Sequence, residues 1–204
     1  METTQENQKQ RVETQKPLTG RKSRLPLILN GLDQRNTKAS RYEDVTCEPG
    51  CASCCHQWVG VTYLEAEAAL LEAGRVGYKI NGDEMARQAK SAEEEGARGR
   101  WFGTRCLFLD DENRCGVYAA RPIACRAVVA TSPAINCANP TGIVTRINNR
   151  DSVMAAYGQV VAEHVAHLLQ PVVGALPIMI KAVLDGKTTA ELAKEPWALM
   201  PARR

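Results

Sequence analysis

Cys47-Glu-Pro-Gly-Cys51-Ala-Ser-Cys54-Cys55 sets four thiols close together in a 204-residue chain. Cys51 and Cys54, two residues apart, can turn both sulfurs toward one metal ion while nearby backbone amides favour the thiolate form. Cys54 and Cys55 are adjacent, and in an extended chain neighbouring side chains point to opposite faces. Two metals, or a multinuclear cluster, therefore suit the stretch better than one mononuclear ion. The remaining cysteines follow at Cys106, Cys115, Cys125 and Cys137, and no others occur. All eight are candidate metal ligands. Eight thiols can fill two tetrahedral zinc sites, ligate an iron–sulfur cluster with several to spare, or share thiolates between ions. Disulfides stay open as an alternative because of the vicinal pair, although a reducing compartment disfavours them.

Outward from this stretch, Gln57 to Thr62 is read as a short strand leaving the cluster. Thr62 followed by Glu65 is a capping box at the head of a helix over the alanine- and leucine-rich run from Tyr63 to Ala73, with Gly74 and Gly77 as its stop. A more polar helix is expected from Asp83 to about Ala97. Its thin apolar stripe of Met85, Ala86, Ala89 and Ala92 predicts that it is largely exposed. Cys106-Leu-Phe-Leu109 and Cys115-Gly-Val-Tyr118 flank the polar stretch Asp110 to Arg114, which predicts a hairpin that brings Cys106 near Cys115. Arg121-Pro122 then opens a helix carrying Cys125 and Arg126. Further on, Val153, Tyr157, Val160, Val161, His164 and Leu168 share one face of a helix over 151–169. Pro171, Pro177 and Gly186 divide the remainder into one or two short helices before Pro196.

These elements predict a mostly helical α+β fold: a small cysteine-lined metal-binding domain with one short hairpin and flanking helices. The expected division is a disordered polar tail over 1–40, the cysteine-cluster domain over 41–140, and a helical C-terminal extension over 141–204 packing on it. The tail, rich in Gln, Glu, Lys, Thr and Arg, holds too little apolar surface to offset chain ordering.

Composition narrows the function. Hydrophobic residues make up 44% of the chain and charged residues 24%, enough to bury a core without staples. A net charge of +3, with no aromatics interleaved among the basic residues of the tail, argues against nucleic acid as partner. The first residues lack the apolar run of a secretory leader, and the apolar stretch Val172 to Leu184 is too short and too interrupted to span a bilayer. The expectation is a cytoplasmic protein with a metal ion as partner and no membrane. No dinucleotide loop, phosphate loop, Ser-His-Asp set or paired-carboxylate arrangement is visible.

The order Cys47-x3-Cys51-x2-Cys54-Cys55, then Cys106-Leu-Phe-Leu-Asp-Asp111, then Cys115-Gly-Val-Tyr-x2-Arg-Pro-x2-Cys-Arg126, resembles the YkgJ-type cysteine-cluster family. The first gap here is one residue longer than the family's CxxCxxCC pattern. The resemblance implies a domain chelating zinc or iron. In some descriptions the members are iron–sulfur proteins, and a related cluster in flagellin lysine methylases adds redox or methyl-transfer-associated activity as the alternative function.

Among other candidates, Arg121 and Arg126 bracket Cys125 and suit thiolate stabilisation or surface ion pairing alike. His56 is a reserve ligand. His164 and His167, one turn apart, can share a metal, but the place of His164 in an apolar stripe favours a hydrogen-bonded core histidine. Trp58, Trp101, Phe102 and Phe108 stand beside the cysteine blocks as core or as shielding.

Overall fold

The computed structural model describes residues 23–48, 50–95, 103–139 and 142–199. Eight helices and two short strands follow one another: α1 Leu25–Ala39, β1 Gly60–Thr62, α2 Tyr63–Val76, α3 Gly82–Glu95, α4 Ile123–Ala127, α5 Ala134–Ala138, α6 Arg150–Ala166, β2 Val173–Ala175, α7 Leu176–Leu184 and α8 Thr189–Leu192. The fold is mostly helical α+β. Among the described residues, no helix is long and apolar enough to cross a membrane.

Helix α2 begins as its sequence dictates. Thr62 Oγ1 accepts the Glu65 N–H and the Glu65 carboxylate accepts the Thr62 N–H, so two orphan donors are satisfied reciprocally. It runs through Gly74 and stops at Gly77, whose left-handed φ of 72° suits a residue without a Cβ. The two strands are antiparallel, with Val61 opposite Gly174. Of the expected strand, Gly60–Thr62 pair with β2, which has no strand pattern of its own, and Gln57 stands in an isolated bridge. Gly174 is there because a Cβ would lie 2.5 Å from the Trp197 ring.

Two hydrophobic clusters support the fold. In the larger, α2, α3 and α7 pack with Trp58, Phe108, Val117 and Trp197. In the smaller, Leu25, Ile28, Leu29 and Leu32 of α1 meet Leu64, Ile123, Ala156 and Val160. This corrects the expected tail: Pro26 stands in the first turn of α1, and Leu25, Ile28, Leu29 and Leu32 bury toward α6 while Leu27 stays exposed. Residues 1–22 of that tail lie outside the described residues.

Helix α3 is largely exposed, as its thin apolar stripe predicts, and buries one narrow face. Gln88, Ala89 and Ala92 are buried, and the Gln88 side-chain oxygen accepts the Trp58 indole N–H at 3.1 Å. The small alanines let α3 approach α7 closely. Helix α6 ends at Ala166 rather than Leu169; Leu168 has turned to φ 59° and is 92% exposed. The division at residue 140 carries backbone pairing across it, since Thr131 N–H donates to Thr145 O and Ile147 N–H to Val129 O.

Candidate metal centre

Four segments carry the cysteines, and each is held by backbone bonds. Cys54 and Cys55 occupy a short 3-10 turn, Ser53–Cys55, just before β1. The Cys106 N–H donates to Cys55 O at 2.8 Å, which ties the hairpin segment to that turn. The hairpin itself is present in reduced form. Gly116 N–H donates to Phe108 O, Asp110 N–H to Arg114 O, and Leu109 bridges Cys115. Tyr78 clamps its outer side, with its ring against Phe108 and its hydroxyl donating to Leu107 O at 3.2 Å. At Gly116 an added Cβ would lie 2.0 Å from that ring, so only glycine lets the hairpin seat.

Cys125 sits in α4, whose entry is anchored by Glu65. This carboxylate is wholly buried, and its Oε1 accepts the Ile123 N–H at 2.8 Å while Oε2 serves Thr62. Burial pushes Glu65 above the ordinary carboxyl range, and the donors from Thr62 and Ile123 oppose that shift. Cys137 sits in α5, which packs on the 3-10 turn. Cys47 is exposed, and its sulfur accepts the Ala130 N–H at 3.2 Å. All eight cysteines are free thiols.

The thiols stand within electrostatic reach of one another in two groups. Cys106 and Cys125 act on Cys55, Cys115 acts on both Cys106 and Cys125, and Cys137 senses Cys47 and Cys51; Cys54 belongs to both neighbourhoods. Cys54 and Cys55 share a side-chain hydrogen bond, so the pair sheds one proton readily and grips the other. That bond draws Cys54 down to about 6 against its burial, with help from its own backbone N–H and from Arg121 and Arg146. The same bond, then burial, pushes Cys55 far above the usual thiol range. Burial raises Cys106 to about 11 and Cys125 further still. The pattern is that of a thiol-rich pocket with one ready negative charge.

As a donor set this fits a soft or borderline metal ion. The arrangement is open: among the described residues, no three Cys, His, Asp or Glu side chains already converge tightly enough to grip one ion. Side-chain rotation would have to close the set.

Of the two arginines around Cys125, Arg121 faces the sulfurs. It favours the thiolate of Cys54, Cys115 and Cys125, and its guanidinium carbon lies 3.9 Å from the centre of the Tyr118 ring. Arg126 also favours the Cys115 thiolate, and it braces the loop. It is 3% exposed, donates from Nε to Arg121 O and from Nη2 to Ala119 O, and pairs with Asp33 of α1. The Arg126 carbonyl in turn accepts the Asn36 side-chain N–H. Sequence reasoning missed Arg146, which acts on Cys54 and Cys137. Its bridge to Ala130 brings it there, and no local spacing announces that.

His56 is exposed, with Nδ1 3.1 Å from Ala52 O. His164 and His167 do not face one ion. His164 is fully buried, its Nδ1–H donates to Val160 O, and its Nε2 accepts the Leu64 N–H at 3.4 Å, giving α2 a further N-terminal acceptor. His167 pairs with Glu163, which also accepts the Arg24 N–H. Phe108 and Trp58 are core residues beside the cysteines, whereas Trp101 and Phe102 lie outside the described residues.

Residues 46–152 match the family model CxxCxxCC, described as "Putative zinc- or iron-chelating domain". The chain belongs to the CxxCxxCC family. The matched span takes in all eight cysteines, Arg121, Arg146 and the start of α6, while α1, β2, α7 and α8 lie outside it. No curated protein and no solved structure matches the chain.

Proposed function

We propose that this protein binds zinc or iron through its cysteine cluster, drawing on Cys47, Cys51, Cys54, Cys55, Cys106, Cys115, Cys125 and Cys137. The observation that carries the reading is the gathering of thiols from four separate segments around Cys54, with Arg121 and Arg146 beside them. Two cations offset the charge that thiolate ligands would concentrate there. Bound metal would supply cross-links among these segments, and protons would leave the thiols as it binds. The chain's own contribution is to hold the segments in place: Glu65 fixes α4, Tyr78 and Gly116 seat the hairpin, and Arg126 locks the loop before Cys125.

An iron–sulfur cluster is the alternative occupant. The apolar wall behind Cys106 and Cys115, which includes Phe108, favours it, because exclusion of water protects such clusters. Redox or methyl-transfer-associated activity would belong to that alternative. A cytoplasmic setting suits either occupant, since the thiols must stay reduced to act as ligands.

The test is elemental mass spectrometry with an absorption spectrum, on full-length protein purified without oxygen and without a metal-binding tag. Near-stoichiometric zinc in a colourless sample, or iron, supports chelation. Iron with inorganic sulfide and visible charge-transfer bands selects the cluster. Protein that holds neither metal, and takes up neither on reconstitution, overturns the proposal.

A further inference from the structure

We infer that the cysteines form two metal compartments that exchange at different rates: an inner one of Cys55, Cys106, Cys115 and Cys125, and an outer one of Cys47, Cys51 and Cys137, joined at Cys54. The outer compartment is the one that takes up and releases metal. This inference rests on the chelation reading above and adds to it a division of labour.

The inner thiols are built into the body of the protein. Cys106 and Cys115 pack against the larger hydrophobic cluster. Cys125 lies in α4 between fully buried Ile123 and nearly buried Arg126, and the hydrogen bond from Cys106 N–H fixes Cys55 to the hairpin. These thiols are half-buried, so a competing ligand gains full access to a metal there only when the hairpin or α4 moves, and moving either breaks the bonds of Glu65, Tyr78 or Arg126.

The outer side is less embedded: Cys51 and Cys137 are half-buried, as the inner thiols are, but among the described residues neither packs against a hydrophobic cluster. Cys47 and its neighbour Glu48 are exposed, as is Gly50, whose left-handed φ of 88° shapes the turn into Cys51. Helix α5, which carries Cys137, buries none of its residues and contributes to neither hydrophobic cluster. Hydrogen bonds at the surface hold this side, such as Thr46 N–H to Ala130 O, Ala130 N–H to the Cys47 sulfur and the Asn136 side-chain N–H to Ile143 O. Each compartment also has its own cation. Arg121 serves the inner thiols and Arg146 the outer ones, and both act on Cys54. A metal ion released from the outer side leaves both hydrophobic clusters intact. Cys54, standing between the groups, is the thiol through which an ion could pass from one to the other.

The experiment loads the full chain with zinc without oxygen, then adds excess coloured chelator and follows release, with thiol alkylation mapped by mass spectrometry at intervals. Two phases are expected, separated by about tenfold or more because inner release needs local opening. Cys47, Cys51 and Cys137 should become alkylated with the fast phase, and Cys106, Cys115 and Cys125 with the slow one. Cys47→Ser and Cys137→Ser should each abolish the fast phase while the slow phase and the far-UV spectrum persist. Release of all zinc in one phase, a fast phase that survives both substitutions, or alkylation of the two groups in step would overturn the division and leave chelation standing. A chain that cannot be loaded with zinc or iron overturns both.

Discussion

The carboxylate of Glu65, three residues into α2, accepts the backbone N–H of Ile123 at the start of α4, across 58 positions of sequence. One buried side chain thus completes the cap of its own helix and supplies the acceptor for the helix that carries Cys125. The cysteine centre is assembled through such handovers between segments.

Removing that carboxylate should cost stability and loosen α4 together. Glu65→Ala leaves the Thr62 and Ile123 donors buried without partners, and roughly 2–3 kcal/mol should be lost. Urea unfolding reads the loss, and amide exchange at residues 123–127 should speed up. Glu65→Gln keeps an acceptor for Ile123 and should lose less. Equal losses in the two variants would contradict this role.

Gly116→Ala drives a methyl into the Tyr78 ring and should destabilise by about 1–3 kcal/mol, as overpacking does. If the clash is the cause, Tyr78→Ala should relieve much of it. The double variant would then be less unstable than the sum of the singles, and strict additivity would count against it.

Arg126 joins the loop carrying the second cysteine block to α1 through Asp33, so Arg126→Ala should expose residues 25–39 to proteolysis and cost about 3 kcal/mol or more. Lysine cannot reproduce the three-way fork and should not restore resistance. Rescue by Arg126→Lys would show that charge alone matters.

His164 must be neutral at Nε2 to accept the Leu64 N–H, and burial holds its pKa below its unfolded value of 6.5. The unfolded chain therefore binds the extra proton first. Stability should be level above 6.5 and fall as pH drops below it, by up to about 1.4 kcal/mol per pH unit for this one group. Glu163, whose pKa is lowered in the fold, weakens only below its own unfolded value of 4.5. Denaturation midpoints between pH 7.5 and 5.5 test this. His164→Gln should be less stable at pH 7.5 and nearly flat across that range.

Metal removal should raise amide exchange over 46–62 and 103–139, where the cysteines lie, and leave the α3–α7 packing protected, because those helices bury against each other without a cysteine between them. Exchange that is indifferent to chelator, or that rises uniformly, would contradict this placement.

The capping box at Thr62 and Glu65, the tight hairpin at Cys106 and Cys115, the short helix behind Pro122 and the core role of His164 were all legible in sequence. Each is a local arrangement of a few residues whose donors, acceptors and turn preferences act on their immediate neighbours. The spacing of the eight cysteines suggested metal chelation, and the chain belongs to a family described as a zinc- or iron-chelating domain.

What needed the folded chain is the set of partnerships between distant segments. Leu25, Ile28, Leu29 and Leu32 look like the end of a polar tail until α6 offers a face to bury them. Val173–Ala175 becomes a strand because β1 offers it a partner, and the narrow face of α3 at Ala89 and Ala92 is buried because those alanines admit α7. Arg146 joins the cysteines by a bridge to Ala130, Arg126 ties its loop to Asp33, and Cys54 comes within electrostatic reach of Cys106, Cys125 and Cys137. Sequence determines which side chains can cap, turn or ligate, since that follows from chemistry within a few residues. Which of them meet depends on burying two apolar faces at once, and that is decided only when the whole chain has packed.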